Sequence, residues 1–174
     1  NELKEKGYHV LIFMASQTSG NVDEVLQEIM DYQVDGIVLA SVAMSSDLAK
    51  DCQKAGVPVV LFNRSQDDDR LSSVGSDNVS GGRKIADFLI AGGHKRISHI
   101  AGWEGASTQR DRETGFLSGL NSAQIKLFSR DVGNFEIEQA REAARRMFDR
   151  NDHPDAVFVA NDHMAIGVMD VLRI

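Results

Sequence analysis

Residues 92–116, GGHKRISHIAGWEGASTQRDRETGF, constrain the fold of this 174-residue chain more than any other stretch. They set a helix end, a short apolar strand, a loop and a new helix in immediate succession. Gly92 and Gly93 lack Cβ and suit the left-handed turn that closes a helix. Ile97, His99 and Ile100 begin the strand, Gly102 closes it, and Ser107 and Thr108 are side chains of the kind that cap a helix. A strand entered from one helix and left into another, over connections this short, belongs to a parallel sheet with right-handed crossovers. Arg112 then falls on the first turns of the new helix, at the carboxyl end of the strand, where open α/β sheets hold their ligands. Its fixed fork of donors matches hydroxyls and carboxylates.

The same alternation runs along the whole chain. NELKEKG at 1–7 reads as the tail of a helix and Tyr8–Ala15 as a strand. Val22, Val25, Leu26, Ile29 and Met30 recur at the spacing of a helix that buries one face. Asp35–Ala40 is the next strand. Ser45 or Ser46 caps a helix carrying Leu48, Ala49, Cys52 and Ala55, and Gly56 ends it before Val57–Phe62, whose near-continuous apolar run suits a strand covered on both faces. After a short strand at Val74 and Gly75, Asp77 or Asn78 caps a helix over Ser80–Ala91. The second half repeats the order with a strand at Ile97–Ala101, a helix at Thr108–Leu120 and a strand near Leu127–Val132. A helix at Ile137–Asp149 follows, with Ile137, Ala140, Ala144 and Met147 facing inward, then a strand at Ala156–Ala160 and a last helix from about His163. Because the chain opens inside a helix and stops at Ile174, one helix past its last strand, it reads as a fragment truncated at both ends.

Composition bounds the function. With 42% hydrophobic and 26% charged residues, no apolar run is long enough to span a bilayer, and the polar first residues carry no signal-peptide pattern; the expectation is a cytoplasmic protein. A net charge of −7 and a pI near 5.2 leave no basic face for phosphates, so this chain alone is not expected to bind DNA. The single Cys52 excludes an internal disulfide and a thiolate metal cage, and its neighbours Leu48 and Ala55 make it a packed thiol. His9, His94, His99, His153 and His163 lack zinc spacing, and the loop 65–70, SQDDDR, lacks the alternating ligands of a calcium loop. GNVDE and SGGRK are not phosphate loops, and no G-x-S-x-G elbow occurs. No metal or cofactor is called for, and an enzyme is the least expected class.

In its order of parts, the stretch 92–116 resembles the effector-binding part of the lactose-repressor (LacI/GalR) family of bacterial transcription regulators, where a G-H-[KR]-R-I strand entry precedes a serine-rich turn and R-x-x-G-[FY]. VDGIVLAS at 34–41, GVPVVLFNR at 56–64, SVGSDNVSGGRKIADFLI at 73–90 and VFVANDHMAIGVMDVL at 157–172 follow in that family's order and at about its spacing, so the resemblance covers nearly the whole chain. It implies an α/β, periplasmic-binding-protein-like fold of two flavodoxin-like lobes with parallel sheets, residues 1–92 and 93–174, with the helix at 80–91 crossing between them. It also implies a ligand-sensing domain whose small effector, a sugar above all, binds between the lobes and controls operator DNA through a headpiece that these residues do not contain. A homodimer follows from the same resemblance. The rival reading is a periplasmic sugar-binding receptor of a transport system, which shares the fold and a comparable arginine; G-H-K-R-I and A-N-D-H-M-A-I-G favour the regulators. A sugar- or nucleotide-processing enzyme is a third, weaker reading.

The resemblance puts ligand contacts at strand ends and helix starts: Asn63 and Arg64, Asp77, Thr108 and Arg112, Phe135, and Asn161 with Asp162. Such a set suits a polyol, because carboxylates accept from adjacent hydroxyls, Arg112 donates, Asn161 does both, and an aromatic ring offers an apolar face to C–H groups. Each residue also has a plainer role open to it. Asp77 and Asp162 can be N-caps, Asn63 can fix a turn, Phe135 can be a hydrophobic staple or core ring, Arg64 can pair with the acidic loop, and Arg110 faces solvent. If this site assignment is right, Arg112→Ala in the complete protein abolishes the ligand-induced thermal shift and leaves the unliganded melting temperature nearly unchanged.

Overall fold

Ser45 accepts the Leu48 amide at 3.2 Å and Gly56 turns with a φ of +72°, so helix α3 (Ser46–Lys54) begins and ends where the sequence sets its cap and its stop. This computed structural model describes residues 2–14, 19–42, 44–66 and 71–173. The chain divides into two compact units, Asn1–Gly75 and Ser76–Ile174.

In the first unit, α1 (Glu2–Glu5), α2 (Ser19–Asp31), β1 (Ile37–Ala40), α3, β2 (Val59–Phe62) and β3 (Ser72–Val74) follow one another. The strands pair in parallel in the order β1-β2-β3, with Ile37 opposite Val59 and Phe62 opposite Val74. Side chains alternate across a strand. Ile37, Leu39, Val59 and Leu61 therefore share one face, where Leu26 of α2 and Leu48, Ala49 and Cys52 of α3 close over them. Cys52 is a core residue whose thiol pKa burial pushes up.

Two expectations fail here. Tyr8–Met14 forms no strand, and Val10, Ile12 and Met14 stay 61%, 83% and 90% exposed. An apolar run becomes a strand only where an edge pairs with it, and none of the described residues does so. Nor is β2 covered on both faces: Val38, Phe62 and Val74 lie exposed on the side opposite the core. An unbroken apolar run does not say which face is covered. Ala15 and most of the SQDDDR loop lie outside the described residues.

The second unit comprises α4 (Asn78–Ala91), β4 (Ile97–Ala101), α5 (Ser107–Ser122), β5 (Arg130–Val132), α6 (Ile137–Phe148), β6 (Ala156–Val159) and α7 (Asp162–Leu172). Its sheet is parallel in the order β5-β4-β6. Every residue of the central strand β4 is buried. Ile97 packs with Ala86, Phe116 and Leu120 of α4 and α5, whereas Ile100 packs with Ala140, Ala144, Met164 and Val168 of α6 and α7. The chain thus leaves β4 over one face of the sheet and leaves β5 and β6 over the other. The carboxyl end of β4 is a topological switch point, the place where such sheets open a crevice.

Helices α4 and α5 meet backbone to backbone. A Cβ on Gly82 would lie 2.0 Å from the Arg112 carbonyl oxygen, and one on Gly115 would lie 1.9 Å from that of Val79. In R-x-x-G-F the glycine therefore serves the crossing of two helices, and Phe116, 0% exposed, serves the core. This contact binds α4 to the second compact unit, Ser76–Ile174. Two boundaries move. Ala106 holds the N-cap position of α5 without a side-chain bond, which makes Ser107 and Thr108 helical residues and not caps, and β5 is shorter than the Leu127–Val132 run suggests. The α/β class with parallel sheets stands as expected.

Candidate functional site

Arg112 lies on the second turn of α5, and its guanidinium reaches two other elements. Nε donates to Asn78 Oδ1 at 2.9 Å and Nη1 donates to the Ala160 carbonyl at 2.7 Å. Both acceptors are neutral, and Nη2 takes part in neither bond. The side chain is thereby fixed at the carboxyl end of β6 through two of its three nitrogens.

The same edge of the sheet gathers the other candidates of this unit. Asn161, in extended conformation, caps α7 by accepting the Met164 amide at 2.8 Å. Asp162 is the first helical residue, not the cap; it is exposed and accepts the amide of His163 at 3.0 Å. Asp77 caps α4 through the Ser80 amide at 2.9 Å and is also exposed. Thr108 is buried on the first turn of α5. Phe135 follows β5 with a φ of +63°, after Asn134 at +51°, and its ring lies so close over Gly102 that a Cβ there would meet Cε1 at 2.1 Å. A ring so placed closes one side of the core and presents its rim at the end of the central strand.

Asn63 and Arg64 stand at the corresponding edge of the first unit. Asn63 has a φ of +72° and donates from Nδ2 to Ser41 Oγ at 2.9 Å, and Ser41 itself has a φ of +60°. Arg64 is buried, which lowers its pKa by desolvation. Ser41 and Asn63, directly past β1 and β2, and Asn134 and Phe135, just beyond Gly133 at the end of β5, are non-glycine residues in left-handed conformation. Each such conformation costs about 1–3 kcal/mol and persists where the surroundings hold it, which is characteristic of ligand clamps.

Sequence reasoning missed the residues that fix this rim. Asn78 appears in it only as a possible cap, and the Ala160 carbonyl carries no sequence signal at all. Gln109, 1% exposed, is the larger omission, although it shares a helix face with the apolar Phe116 and Leu120. Its Oε1 accepts the Gly102 amide at 2.6 Å, while its Nε2 lies 2.9 Å from Glu113 Oε2 and 3.2 Å from His99 Nε2. The imidazole of His99, 0% exposed, stacks on Phe158 with a centroid separation of 4.8 Å, and its Nδ1 lies 2.9 Å from the Phe158 carbonyl. Desolvation pushes the pKa of His99 down. Glu113 is held below the usual carboxylate range by the hydrogen bond from Arg130, which also pairs with Glu104 at 2.7 Å. Among the described residues, no group of three His, Cys, Asp or Glu side chains is placed to hold a metal ion, and no helix is long and apolar enough to cross a membrane.

Comparison with known proteins gives this geometry a context. A family model described as periplasmic binding protein domain matches residues 1–173. The HTH-type transcriptional regulator CelR of Thermobifida fusca is 33% identical over an alignment of 176 positions that covers 98% of this chain and 51% of the relative. The ribose import binding protein RbsB of Bacillus subtilis is 27% identical over an alignment of 179 positions that covers 99% of this chain and 58% of that protein. A crystal structure of a regulatory protein of the LacI family from Chloroflexus aggregans matches with a TM-score of 0.82 at 30% identity, covering 99% of this chain and 63% of that one. The chain spans about half the length of the curated relatives it matches.

Proposed function

The chain belongs to the periplasmic binding protein domain family, and from that premise we propose that it is the ligand-sensing part of a bacterial DNA-binding transcriptional regulator. Its effector is a small polyol, a sugar above all, held at the carboxyl ends of the strands. The observation that supports this reading is Arg112, whose guanidinium is anchored by Asn78 and Ala160 at the carboxyl end of β6. Asp77, Asn161 and Asp162 supply acceptors, Thr108 a hydroxyl and Phe135 an apolar face; Asn63 and Arg64 supply the corresponding edge of the first unit. Caps and ligand contacts are compatible roles, since a carboxylate that accepts one amide keeps further lone pairs for hydroxyls.

Similarity to CelR and to the LacI-family structure supports a regulator, and similarity to a ribose import protein supports a sugar as ligand. On this reading the parent protein works in the cytoplasm as a homodimer. Its operator contacts come from a headpiece outside these residues, because a chain of net charge −7 has no footprint for phosphates. Effector and operator affinities are then reciprocally linked. The ligand is bound and released unchanged; a sugar converted to product by the intact protein would overturn that. The ribose import relative favours a second reading, an exported sugar receptor. The intact mass and N-terminal peptide sequence of the native protein separate the two. A helix-turn-helix segment ahead of Asn1 is the expected result, and a mature end left by a cleaved signal peptide would install the receptor instead.

A further inference from the structure

We propose that Gln109 is a positioning residue for the effector site: oriented by Glu113 and the buried His99, it fixes Gly102, the first residue of the loop Gly102–Ala106 that edges the carboxyl end of the central strand. The polarity of its neighbours leaves its amide no choice. The Gly102 N–H, 2.6 Å away, can only donate, so it requires Oε1. The Glu113 carboxylate, 2.9 Å away and kept ionised by Arg130, can only accept, so it requires Nε2. With the amide so oriented, Nε2 also donates to His99 Nε2 at 3.2 Å, and the imidazole proton is confined to Nδ1, where it reaches the Phe158 carbonyl at 2.9 Å. His99 is thus a neutral imidazole of one tautomer, faced by Gln109 and Glu113 of α5, the Phe116 ring of the same helix, Phe158 of β6 and, beyond Glu113, Arg130 of β5 with Glu104 of the loop. Turning the amide over would set two donors against each other at Gly102 and an oxygen against Glu113. A single side chain therefore carries the fixed polarity of the strand interior to the first residue of the loop, on which the Phe135 ring rests.

That this loop borders an effector rests on the function proposed above, but its positioning is measurable without any effector. Trp103, the next residue, is the only tryptophan of the chain. In the full chain, Gln109→Met removes the acceptor for Gly102, and Trp103 emission shifts to the red with greater quenching by acrylamide. Gln109→Glu combined with Glu113→Gln keeps that acceptor without setting two carboxylates against each other, so Trp103 emission stays as in the wild type. Its carboxylate demands a donor from His99, so the titration of His99 rises, as read by 15N NMR of labelled histidine. The wild-type spectrum shows His99 as the Nδ1–H tautomer. D-ribose is the ligand probe: if the wild type binds it, Gln109→Met loses about tenfold in affinity, the worth of one buried hydrogen bond, and the Gln109→Glu, Glu113→Gln double variant retains it. An Nε2–H tautomer in the wild type, or Trp103 emission and quenching unchanged in Gln109→Met, overturns the positioning role. Should Gln109→Met fail to fold, the wild-type tautomer and the raised His99 titration in the Gln109→Glu, Glu113→Gln double variant decide alone. A wild type that shows the Nδ1–H tautomer and the Trp103 response yet binds no sugar leaves the positioning intact and removes the proposed effector.

Discussion

Arg112 Nη1 donates to the carbonyl of Ala160 at 2.7 Å, tying the helix that leaves the central strand to the end of the neighbouring strand β6. With the second bond to Asn78, the arginine joins α4, α5 and β6 at one point. It therefore serves the unliganded fold as well as a ligand, which changes what its removal does. Arg112→Ala is expected to lower stability by about 1.5–3 kcal/mol, the range for a hydrogen bond to a charged group, and not to leave the melting temperature nearly unchanged. Urea unfolding checks this; an unaltered midpoint would mean that the two bonds contribute nothing net.

Gly115 and Gly81 make a matched pair of substitutions. A methyl at Gly115 drives into the Val79 carbonyl, so Gly115→Ala is expected to push α4 and α5 apart and to destabilise by about 3 kcal/mol. Gly81 is exposed on α4 with nothing within 4 Å of its would-be Cβ, so Gly81→Ala is expected to stabilise by up to about 1 kcal/mol through helix propensity. Thermal melts of both variants test the assignment; equal effects at the two positions would deny the close helix contact.

His99 gives the stability an acid limit. Its pKa in the folded chain is pushed below the ordinary 6.5 by desolvation, so between the two values the unfolded chain binds more protons than the folded one. The contribution is fully present above pH 6.5 and declines as pH falls through the depressed folded value. Glu113, also lowered in the folded state, adds a separate loss that sets in only as pH falls below its ordinary 4.5. Unfolding free energy measured from pH 7 to pH 5 should fall in the wild type and be flatter in His99→Leu. Identical slopes would place the acid sensitivity elsewhere.

Gly102→Ala tests the seat of the Phe135 ring. Its methyl lands 2.1 Å from Cε1, so the ring must leave its place over the central strand. Sugar affinity measured by calorimetry is expected to fall about tenfold, the scale of a lost aromatic contact. Retained affinity would return Phe135 to a core role alone.

Much of this was legible in the sequence, and the failures have physical reasons. Period and punctuation placed α3, α4, β4, α6 and α7 within a few residues, because Ser45, Gly56, Asp77 and Gly93 act locally through their own caps and turns. Tyr8–Met14 went astray because strand pairing is not local. The order of Arg112, Gly115 and Phe116 pointed to a site, yet only the structure separates the arginine at the strand edge from the glycine at the helix crossing and the phenylalanine in the core. The orientation of Gln109 depends on Gly102 and His99 across the strand–helix connection, and no spacing rule encodes that.

The most direct test is calorimetric titration of the wild type and Arg112→Ala with a panel of pentoses and hexoses, at a temperature where both are folded. At least one sugar should bind the wild type and give no heat with the variant. Equal binding to both, or no sugar bound by the wild type, would contradict an effector site built around Arg112.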